Sequence, residues 1–287
     1  MSGAQGAIET PSGKGAADEN FPVGSWLLPR RLRPHVAVFY AFARAIDDIA
    51  DNPALAPEDK VARLDRFADA LRPGPRGSTA EAPGLAKAHA MRDTLAVTGI
   101  TAQHCLDLIS AFKQDAVKTR YRDWAELIDY CDRSAAPVGR FLLDLHGEDP
   151  AGYPASDALC NALQMINHLQ DCADDYAGLD RVYLPTEWLE AEGLDVDVLG
   201  EPAMPPGLRR VVDRCLEGTR ALLATADTLP GALRSRRLAM ESAVIVKIAH
   251  ALCGELARRD PLADRVVLTR GQTLRCAVAG VMGAVLR

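Results

Sequence analysis

Apolar residues recur at intervals of three and four along most of the chain, whereas strict alternation of apolar and polar residues is scarce. The first spacing is that of one face of a helix, and the second is that of a half-buried strand. The pattern therefore predicts an all-α protein. The predicted helices cover residues 31–51, 57–72, 85–98, 101–118, 123–147, 155–176, 186–192, 205–228, 231–259 and 270–286.

Proline and capping residues support several of these boundaries. Pro34 lies in the first turn of the first predicted helix, where a missing N–H is harmless, and Pro53 follows the end of that helix. Asp123 is a predicted N-cap. No linker separates two cores, so residues 20–287 are predicted to form a single all-α domain, preceded by a disordered tail rich in glycine, alanine and serine at residues 1–19.

Two aspartate clusters end two of the predicted helices. The first includes Asp47, Asp48 and Asp51, and the second includes Asp171 and Asp175. In each cluster the first and last carboxylates are four residues apart, so on a helix they share one face and repel each other across roughly 6 Å. A shared cation would relieve this repulsion, and Mg²⁺ suits both carboxylate and phosphate oxygens. The clusters therefore predict a helical pocket in which Mg²⁺ bridges both of them to a diphosphate.

Further polar residues share a helix face with each cluster. A polar stripe is normally only the solvent-facing side of a helix, and this alternative stays open for either helix alone. However, the stripes are rich in short acids and amides and carry no lysine, which is typical of an inward-facing, metal-filled pocket. The stripes comprise Tyr40, Arg44, Asp47, Asp48 and Asp51 on the first helix, and Gln164, Asn167, His168, Asp171, Asp174 and Asp175 on the second.

An arginine and a tyrosine, Arg181 and Tyr183, follow the second cluster closely. On a loop next to acidic residues they could hold phosphate oxygens. The alternative, in which Arg181 is a surface residue paired with Asp180, has equal weight at this point.

Composition narrows the class of protein. The 287 residues are 48% hydrophobic and 25% charged, which is ordinary for a soluble globular protein, and a net charge of −6 disfavours nucleic acid as a partner. Seven cysteines without a CxxC pair indicate reduced thiols and a cytoplasmic location. No stretch reaches the ~20 apolar residues of a membrane span. Any membrane contact is therefore expected to be peripheral, at the inner face, through Trp26, Leu27, Leu28 and Arg30 to Arg33.

The residues around the two clusters resemble those of a known family. The segment Tyr40–Asp51 resembles the first Asp-rich motif of the squalene/phytoene synthases, and Gln164–Asp175, followed by Arg181–Pro185, resembles the second. The central helix between these motifs is resembled by Tyr130 and Cys131, followed by Pro137–Gly139. The resemblance runs in matching order over roughly residues 20 to 275. It implies an isoprenoid synthase-type helical bundle around a central cavity.

The resemblance also implies roles for individual residues. Several Mg²⁺ ions would hold the diphosphate between the two motifs and act as Lewis acids on this departing group. The implied catalytic carboxylates are Asp47, Asp51, Asp171 and Asp175. The implied metal ligands are Asp47, Asp48, Asp51, Asn167, Asp171 and Asp175. The implied substrate-binding residues are Phe21, Tyr40, Arg44, Gln164, Asn167, Arg181 and Tyr183.

Two departures from the commoner members narrow the resemblance. Glu19–Ser25 replaces a Ser-x-Ser-Phe pattern, and Asp132 and Arg133 stand where squalene and phytoene synthases carry a tyrosine. Both changes resemble the bacterial hopanoid-pathway branch that ionises presqualene diphosphate, rearranges the cation and captures it with water as hydroxysqualene. A charged pair at Asp132 and Arg133 would keep water near a carbocation. Alternatively, both residues face away from the cavity and hold the bundle together.

The implied substrate is a prenyl diphosphate, and functional coupling to the other squalene-forming enzymes of the pathway is expected. Head-to-head condensation of two farnesyl or geranylgeranyl diphosphates uses the same motifs and is the alternative reaction. A non-catalytic scaffold protein is a further alternative. Such a protein should have lost acids from the pairs, and both pairs are intact.

Overall fold

The computed structural model describes residues 28–72 and 84–286. The predicted tail at residues 1–19, the candidate substrate-binding residue Phe21, and Trp26 and Leu27 lie outside these ranges. Contacts between Cα atoms divide the chain into two compact units, Met1–Lys118 and Thr119–Arg287. The expectation of a single domain over residues 20–287 stays a prediction.

The first unit is helical throughout its described part. It contains α1 (Arg33–Ala50), α2 (Pro57–Leu71), α3 (Ala86–Thr98) and α4 (Gln103–Asp115). Its core is built from fully buried apolar side chains of several of these helices, including Phe42 and Ile46 of α1, Phe67 of α2 and Met91 of α3. The rings of Phe42 and Phe67 lie 6.0 Å apart. This packing fixes the orientation of α1, whose polar stripe carries the first aspartate cluster.

The second unit is also mainly helical. Its helices are α5 (Trp124–Ser134), α6 (Ala136–His146), α7 (Tyr153–Gln170), α8 (Cys172–Leu179), α9 (Thr186–Ala191), α10 (Pro206–Ala226), α11 (Leu229–Ala232), α12 (Arg236–Leu256) and α13 (Arg270–Val285). Two short strands, β1 (Arg120–Tyr121) and β2 (Val182–Pro185), pair in parallel. Short 3-10 helices cover Pro150–Gly152 and Val196–Gly200. Helix α7 is central because it packs on α6, α10 and α12.

The all-α prediction is confirmed, but two predicted helices are each broken into two. The helix predicted over 123–147 breaks at Ala135, whose backbone leaves the helical region at φ −123° and ψ −48°. Pro137 explains this break, because its ring would collide with a carbonyl of the preceding turn. The helix predicted over 155–176 breaks at Asp171, with φ −107° and ψ 11°.

The structure confirms one further local prediction and contains two strands that were not predicted. Asp123 caps α5 as predicted, because its side chain accepts a hydrogen bond from the Glu126 amide. Strands β1 and β2 were not predicted, since they are short and the four residues of β2 are all buried, which leaves no alternation to detect. Within the described residues, none of the helices combines the length and the hydropathy needed to cross a membrane.

Candidate active site

The first aspartate cluster is organised around Arg44 in the last turns of α1. The Arg44 guanidinium contacts Oδ2 of Asp47 at 2.9 Å and Oδ1 of Asp48 at 3.0 Å, and its Nε donates to the same Asp48 oxygen at 3.1 Å. Asp48 is buried, so a charged partner is needed to offset its desolvation. Burial alone would lower the pKa of Arg44, but the Asp47 and Asp48 carboxylates outweigh burial and raise it.

The charged form of the Asp47 carboxylate is strongly disfavoured by its surroundings. Although 27% of its side chain remains exposed, burial by surrounding protein and the negative charges of Asp51, Asp48 and Asp115 raise its pKa to about 8 against the opposing effect of Arg44. Three other carboxylates and only one arginine thus act on the Asp47 carboxylate. The first cluster therefore has an excess of negative charge that a cation would neutralise.

The remaining residues of the α1 stripe lie on either side of this centre. Asp51 is the C-cap of α1, and its backbone N–H donates to the Asp47 carbonyl at 2.9 Å. Tyr40 is half-buried one turn before Arg44, and it contributes electrostatically to the raised pKa of that arginine. The predicted stripe from Tyr40 to Asp51 is therefore formed, within the first unit, by one continuous helix and its cap.

The second aspartate cluster lies at the junction of α7 and α8. Asp171 ends α7 and precedes α8, and Asp174 and Asp175 lie in the first turn of α8, where the helix dipole favours negative charge. Arg265 binds Asp171 with two contacts, Nε to Oδ1 at 3.0 Å and Nη2 to Oδ2 at 3.3 Å. The guanidinium of Arg265, a residue distant in sequence, therefore forms an ion pair with the second cluster.

An aromatic group adjoins the α7 stripe. The rings of His168 and Tyr183 stack with centroids 3.6 Å apart, and Tyr121 and Tyr130 stack on Tyr183 at 5.6 and 5.7 Å. Gln164 contacts Nε2 of His168 at 3.2 Å. Burial and the nearby positive charge of Arg181 lower the pKa of His168 to about 3. His168 is consequently a neutral packing residue at physiological pH.

The structure also places the two residues predicted to follow the second cluster. Tyr183 belongs to the buried strand β2, and Arg181 directly precedes that strand. Only 6% of Arg181 is exposed, and Asp180 pairs with Arg120 at 2.5 Å, so the alternative of a surface Arg181 is wrong. The backbone N–H of Arg181 donates to the Asp175 carbonyl at 3.1 Å, which ties this residue to the second cluster.

The fit of these residues to Mg²⁺ can be judged within each unit. Among the described residues, no three His, Cys, Asp or Glu side chains are arranged as a ready-made metal cage. Mg²⁺ is commonly held by one or two carboxylates together with waters and substrate phosphates, so such a cage is not required. The crowded carboxylates around Asp47 and the carboxylate oxygens of the second cluster match the donor chemistry that Mg²⁺ prefers. Asn167 is half-buried on the same α7 stripe and could supply a further oxygen.

Asp132 and Arg133 have different partners in the structure. Arg133 pairs with Asp129, one turn earlier on α5, at 2.9 Å. Asp132 is exposed and accepts a hydrogen bond from Nδ2 of Asn161 on α7 at 2.6 Å. Asp132 therefore contacts α7, the helix that carries the second polar stripe, whereas this contact of Arg133 stays within α5.

Three residues of these groups were missed from the sequence. Arg265 is distant in sequence from Asp171, so no local pattern reveals it. Asp115 ends α4, where the helix dipole disfavours an acid, and a buried acid at such a position is a detectable signal. Asn161 lies three residues before Gln164 on the α7 stripe, so helical spacing alone could have included it.

The chain is similar to several known proteins. The model of the squalene/phytoene synthase family matches residues 15–272. The hydroxysqualene synthases of Zymomonas mobilis and Rhodopseudomonas palustris are 40% and 43% identical to the chain, over 95% and 91% of its length and 90% and 87% of theirs. The presqualene diphosphate synthase of R. palustris is 30% identical over 92% of each protein. The solved structure of squalene synthase HpnC from Alicyclobacillus acidocaldarius has a TM-score of 0.71 and 34% identity, covering 82% of this chain and 87% of that chain.

Proposed function

Since the chain belongs to the squalene/phytoene synthase family of isoprenoid-synthase enzymes, which act on diphosphates, we propose that it converts presqualene diphosphate to hydroxysqualene. One comparison carries this proposal. Of two relatives from R. palustris, the hydroxysqualene synthase is 43% identical to the chain and the presqualene diphosphate synthase is only 30% identical. The comparison therefore favours the conversion of presqualene diphosphate to hydroxysqualene over the synthesis of presqualene diphosphate.

Residues of both aspartate clusters are proposed to take part in holding the diphosphate. Mg²⁺, bound by Asp47, Asp48, Asp51, Asn167, Asp171 and Asp175, would stabilise the negative charge of the leaving group. Arg44 and Arg265 lie on the clusters and are available to phosphate oxygens once a cation shares their aspartate partners. Tyr40, Gln164, Arg181 and Tyr183 are proposed to contact the substrate. Phe21 is also proposed to contact the substrate.

The proposed reaction balances without a reductant. The C–O bond to the diphosphate breaks, and its electron pair leaves with the diphosphate. The resulting cyclopropylcarbinyl cation rearranges, a water oxygen adds to the final cation, and the added water loses one proton to a base such as the departed diphosphate. The protein must therefore exclude bulk water during rearrangement and still admit one water at the end.

The proposed substrate and product both contain long apolar chains, so the enzyme must receive its substrate from other lipids or proteins and pass its product on. We propose a peripheral contact with the membrane and functional coupling to the enzymes that make presqualene diphosphate and reduce hydroxysqualene. Two residues of the predicted membrane contact, Trp26 and Leu27, lie outside the described residues. The prediction is wrong for Leu28, because its side chain is buried and cannot reach a membrane. The exposed residues Arg30 and Arg31 keep their predicted role.

A second candidate function is supported by one comparison. The solved structure that is 34% identical to the chain is described as a squalene synthase, so complete squalene synthesis from two farnesyl diphosphates is the competing reaction. That reaction consumes farnesyl diphosphate and requires a reductant in its last step. Substrate use and the effect of NADPH therefore separate the two functions.

The deciding experiment is incubation of the purified protein with presqualene diphosphate and Mg²⁺ in ¹⁸O-labelled water, followed by mass analysis of the neutral lipid. The expected product is hydroxysqualene that carries the label, unchanged when NADPH is added. A product without the label, or diversion to squalene by NADPH, would overturn the proposal. Formation of squalene from farnesyl diphosphate and NADPH would favour the competing function.

A further inference from the structure

Helix α13 presents its small residues to the protein. Gly280 packs against α12 so closely that an added Cβ would lie 2.6 Å from the Cα of Val244. One turn earlier, the Cys276 thiol contacts the carbonyl of Lys247 in α12 at 3.5 Å. One turn later, Ala284 continues the same spacing. These small side chains allow α13 to lie almost directly on the α12 backbone.

Four of the five large apolar residues of α13 consequently point away from the protein, and the fifth, Val281, is half-buried. This arrangement is the reverse of an ordinary surface helix, which buries its large apolar side chains and exposes its polar ones. Large exposed apolar patches mark surfaces that contact another molecule or a membrane. The exposed fractions are 65% for Leu274, 56% for Val278, 52% for Met282 and 64% for Val285, and 80% for Leu286, which directly follows the helix.

The charge of this part of the chain is uniformly positive. Residues 265–286 contain Arg265, Arg270 and Arg275 but no aspartate or glutamate, although the whole chain carries a net charge of −6. Arg270 and Arg275 are exposed, and neither forms an ion pair with another residue of the described ranges. An apolar helix face flanked by arginines matches the two components of an anionic membrane surface, its acyl chains and its negative headgroups.

We propose that α13 docks this protein on anionic membranes. The exposed apolar residues enter the boundary between headgroups and acyl chains, and Arg270 and Arg275 contact the headgroups. A second copy of the chain fits this face less well, because a symmetric pairing of α13 would bring its arginines together without an acid on the helix to neutralise them. The surface is independent of the proposed reaction, but it suits an enzyme whose substrate and product are lipids.

The test is sedimentation of the full-length protein with sucrose-loaded vesicles, in the absence of substrate. One set of vesicles contains phosphatidylcholine with phosphatidylglycerol, and the other contains phosphatidylcholine alone. We expect binding to the anionic vesicles that weakens at high salt. We expect the double variant Val278→Ser/Met282→Ser to lose at least about tenfold in vesicle affinity, because it removes apolar side chains that would be buried in the interface.

Two further variants separate the causes. Val97→Ser/Val117→Ser changes exposed valines of the first unit and should leave vesicle binding unchanged. Arg270→Gln/Arg275→Gln should remove most of the dependence on phosphatidylglycerol and salt while helix content, measured by circular dichroism, stays at the parent level. Equal vesicle binding by the parent and the α13 variants would overturn the proposal. A parent dimer that fails to bind vesicles, and that the Val278→Ser/Met282→Ser change dissociates, would assign the face to a second copy instead.

Discussion

Asn161 of α7 donates a hydrogen bond through Nδ2 to Oδ1 of Asp132 on α5, over 2.6 Å. Because an ionised carboxylate can only accept, this contact sets the orientation of the Asn161 amide. The other amide atom, Oδ1, is buried and has no hydrogen-bond partner among the described residues. A buried oxygen of this kind costs free energy unless another group or a water satisfies it. The hydrogen bond therefore connects α7 to the exposed Asp132 and leaves the Oδ1 atom of Asn161 available as an acceptor.

The aspartate clusters give the most direct prediction of activity. We expect Asp47→Asn and Asp171→Asn each to abolish most turnover of presqualene diphosphate, because each removes a proposed Mg²⁺ ligand, and EDTA should do the same to the parent. With EDTA present, Asp47→Asn should unfold at a higher temperature than the parent, because it removes a carboxylate whose charged form is disfavoured by burial and by the neighbouring acids. Steady-state assays and thermal unfolding measure these effects.

Matched controls use exposed aspartates in each unit. Asp69→Asn in α2 removes a carboxylate that pairs at 3.5 Å with Arg72, just after that helix, and Asp213→Asn removes one that pairs at 2.7 Å with Arg209 of α10. Both variants should keep near-parent activity. Near-parent activity of Asp47→Asn or Asp171→Asn would instead remove that aspartate from the proposed ligands.

Arg265 provides a prediction that the sequence could not suggest. We expect Arg265→Gln to lower kcat/KM by roughly 10- to 100-fold, because a charge-assisted bond to a ligand oxygen contributes about 1.5–3 kcal/mol. Arg265→Lys should recover only part of the loss, since lysine cannot reproduce the two-point contact with Asp171. Inhibition by inorganic diphosphate should weaken in parallel if Arg265 binds the leaving group.

Arg258→Gln is the control, because Arg258 is exposed and pairs only on the surface with Glu255. If Arg265→Gln lowers thermal stability but leaves kcat/KM and diphosphate inhibition unchanged, Arg265 is only a structural partner of Asp171.

The contrast between Arg265 and the predicted residues shows what a sequence pattern can reveal. The stripe from Tyr40 to Asp51 follows from helical spacing, and the structure has it on one helix and its cap. Arg265 reaches Asp171 only because tertiary packing brings distant segments together, so its role has no local signature. The break at Asp171 was likewise hidden, because apolar spacing continues from α7 into α8 and the change is in the backbone angles of a single residue.

His168 predicts a dependence of stability on pH. Its pKa is lowered from 6.5 to about 3 by burial and by Arg181. Between these two pH values the unfolded chain binds a proton at His168 and the folded protein does not. The stability contributed by neutral His168 is therefore present above pH 6.5 and is lost as the pH falls from 6.5 toward 3. Between pH 7.5 and 5.5 the parent should lose on the order of 1 kcal/mol of unfolding free energy through this residue.

Urea unfolding at the two pH values measures this loss. His168→Gln should be less stable than the parent at pH 7.5, because it loses the stacking on Tyr183, but it should lose less stability on acidification. The control His250→Gln replaces a partly exposed histidine paired with Asp227 and should retain the acid sensitivity that arises from His168. An unchanged acid sensitivity of His168→Gln would show that other groups cause it.

The last prediction concerns the water that ends the reaction. Asn161 precedes Gln164 by three residues on the same face of α7, so it lies next to a proposed substrate contact. Its unpartnered Oδ1 can accept a hydrogen bond from one water, and Asp132 keeps the amide in position. We expect Asn161→Leu to consume presqualene diphosphate but to form several-fold less labelled hydroxysqualene in ¹⁸O-water, with more polyene from proton loss. Asp132→Asn should shift the products less, since an amide can still bond to Asn161, and Asp129→Asn on the same helix is the control. If Asn161→Leu lowers stability yet gives the parent's ratio of alcohol to polyene, the Asn161–Asp132 contact only joins α5 to α7 and the water is positioned elsewhere.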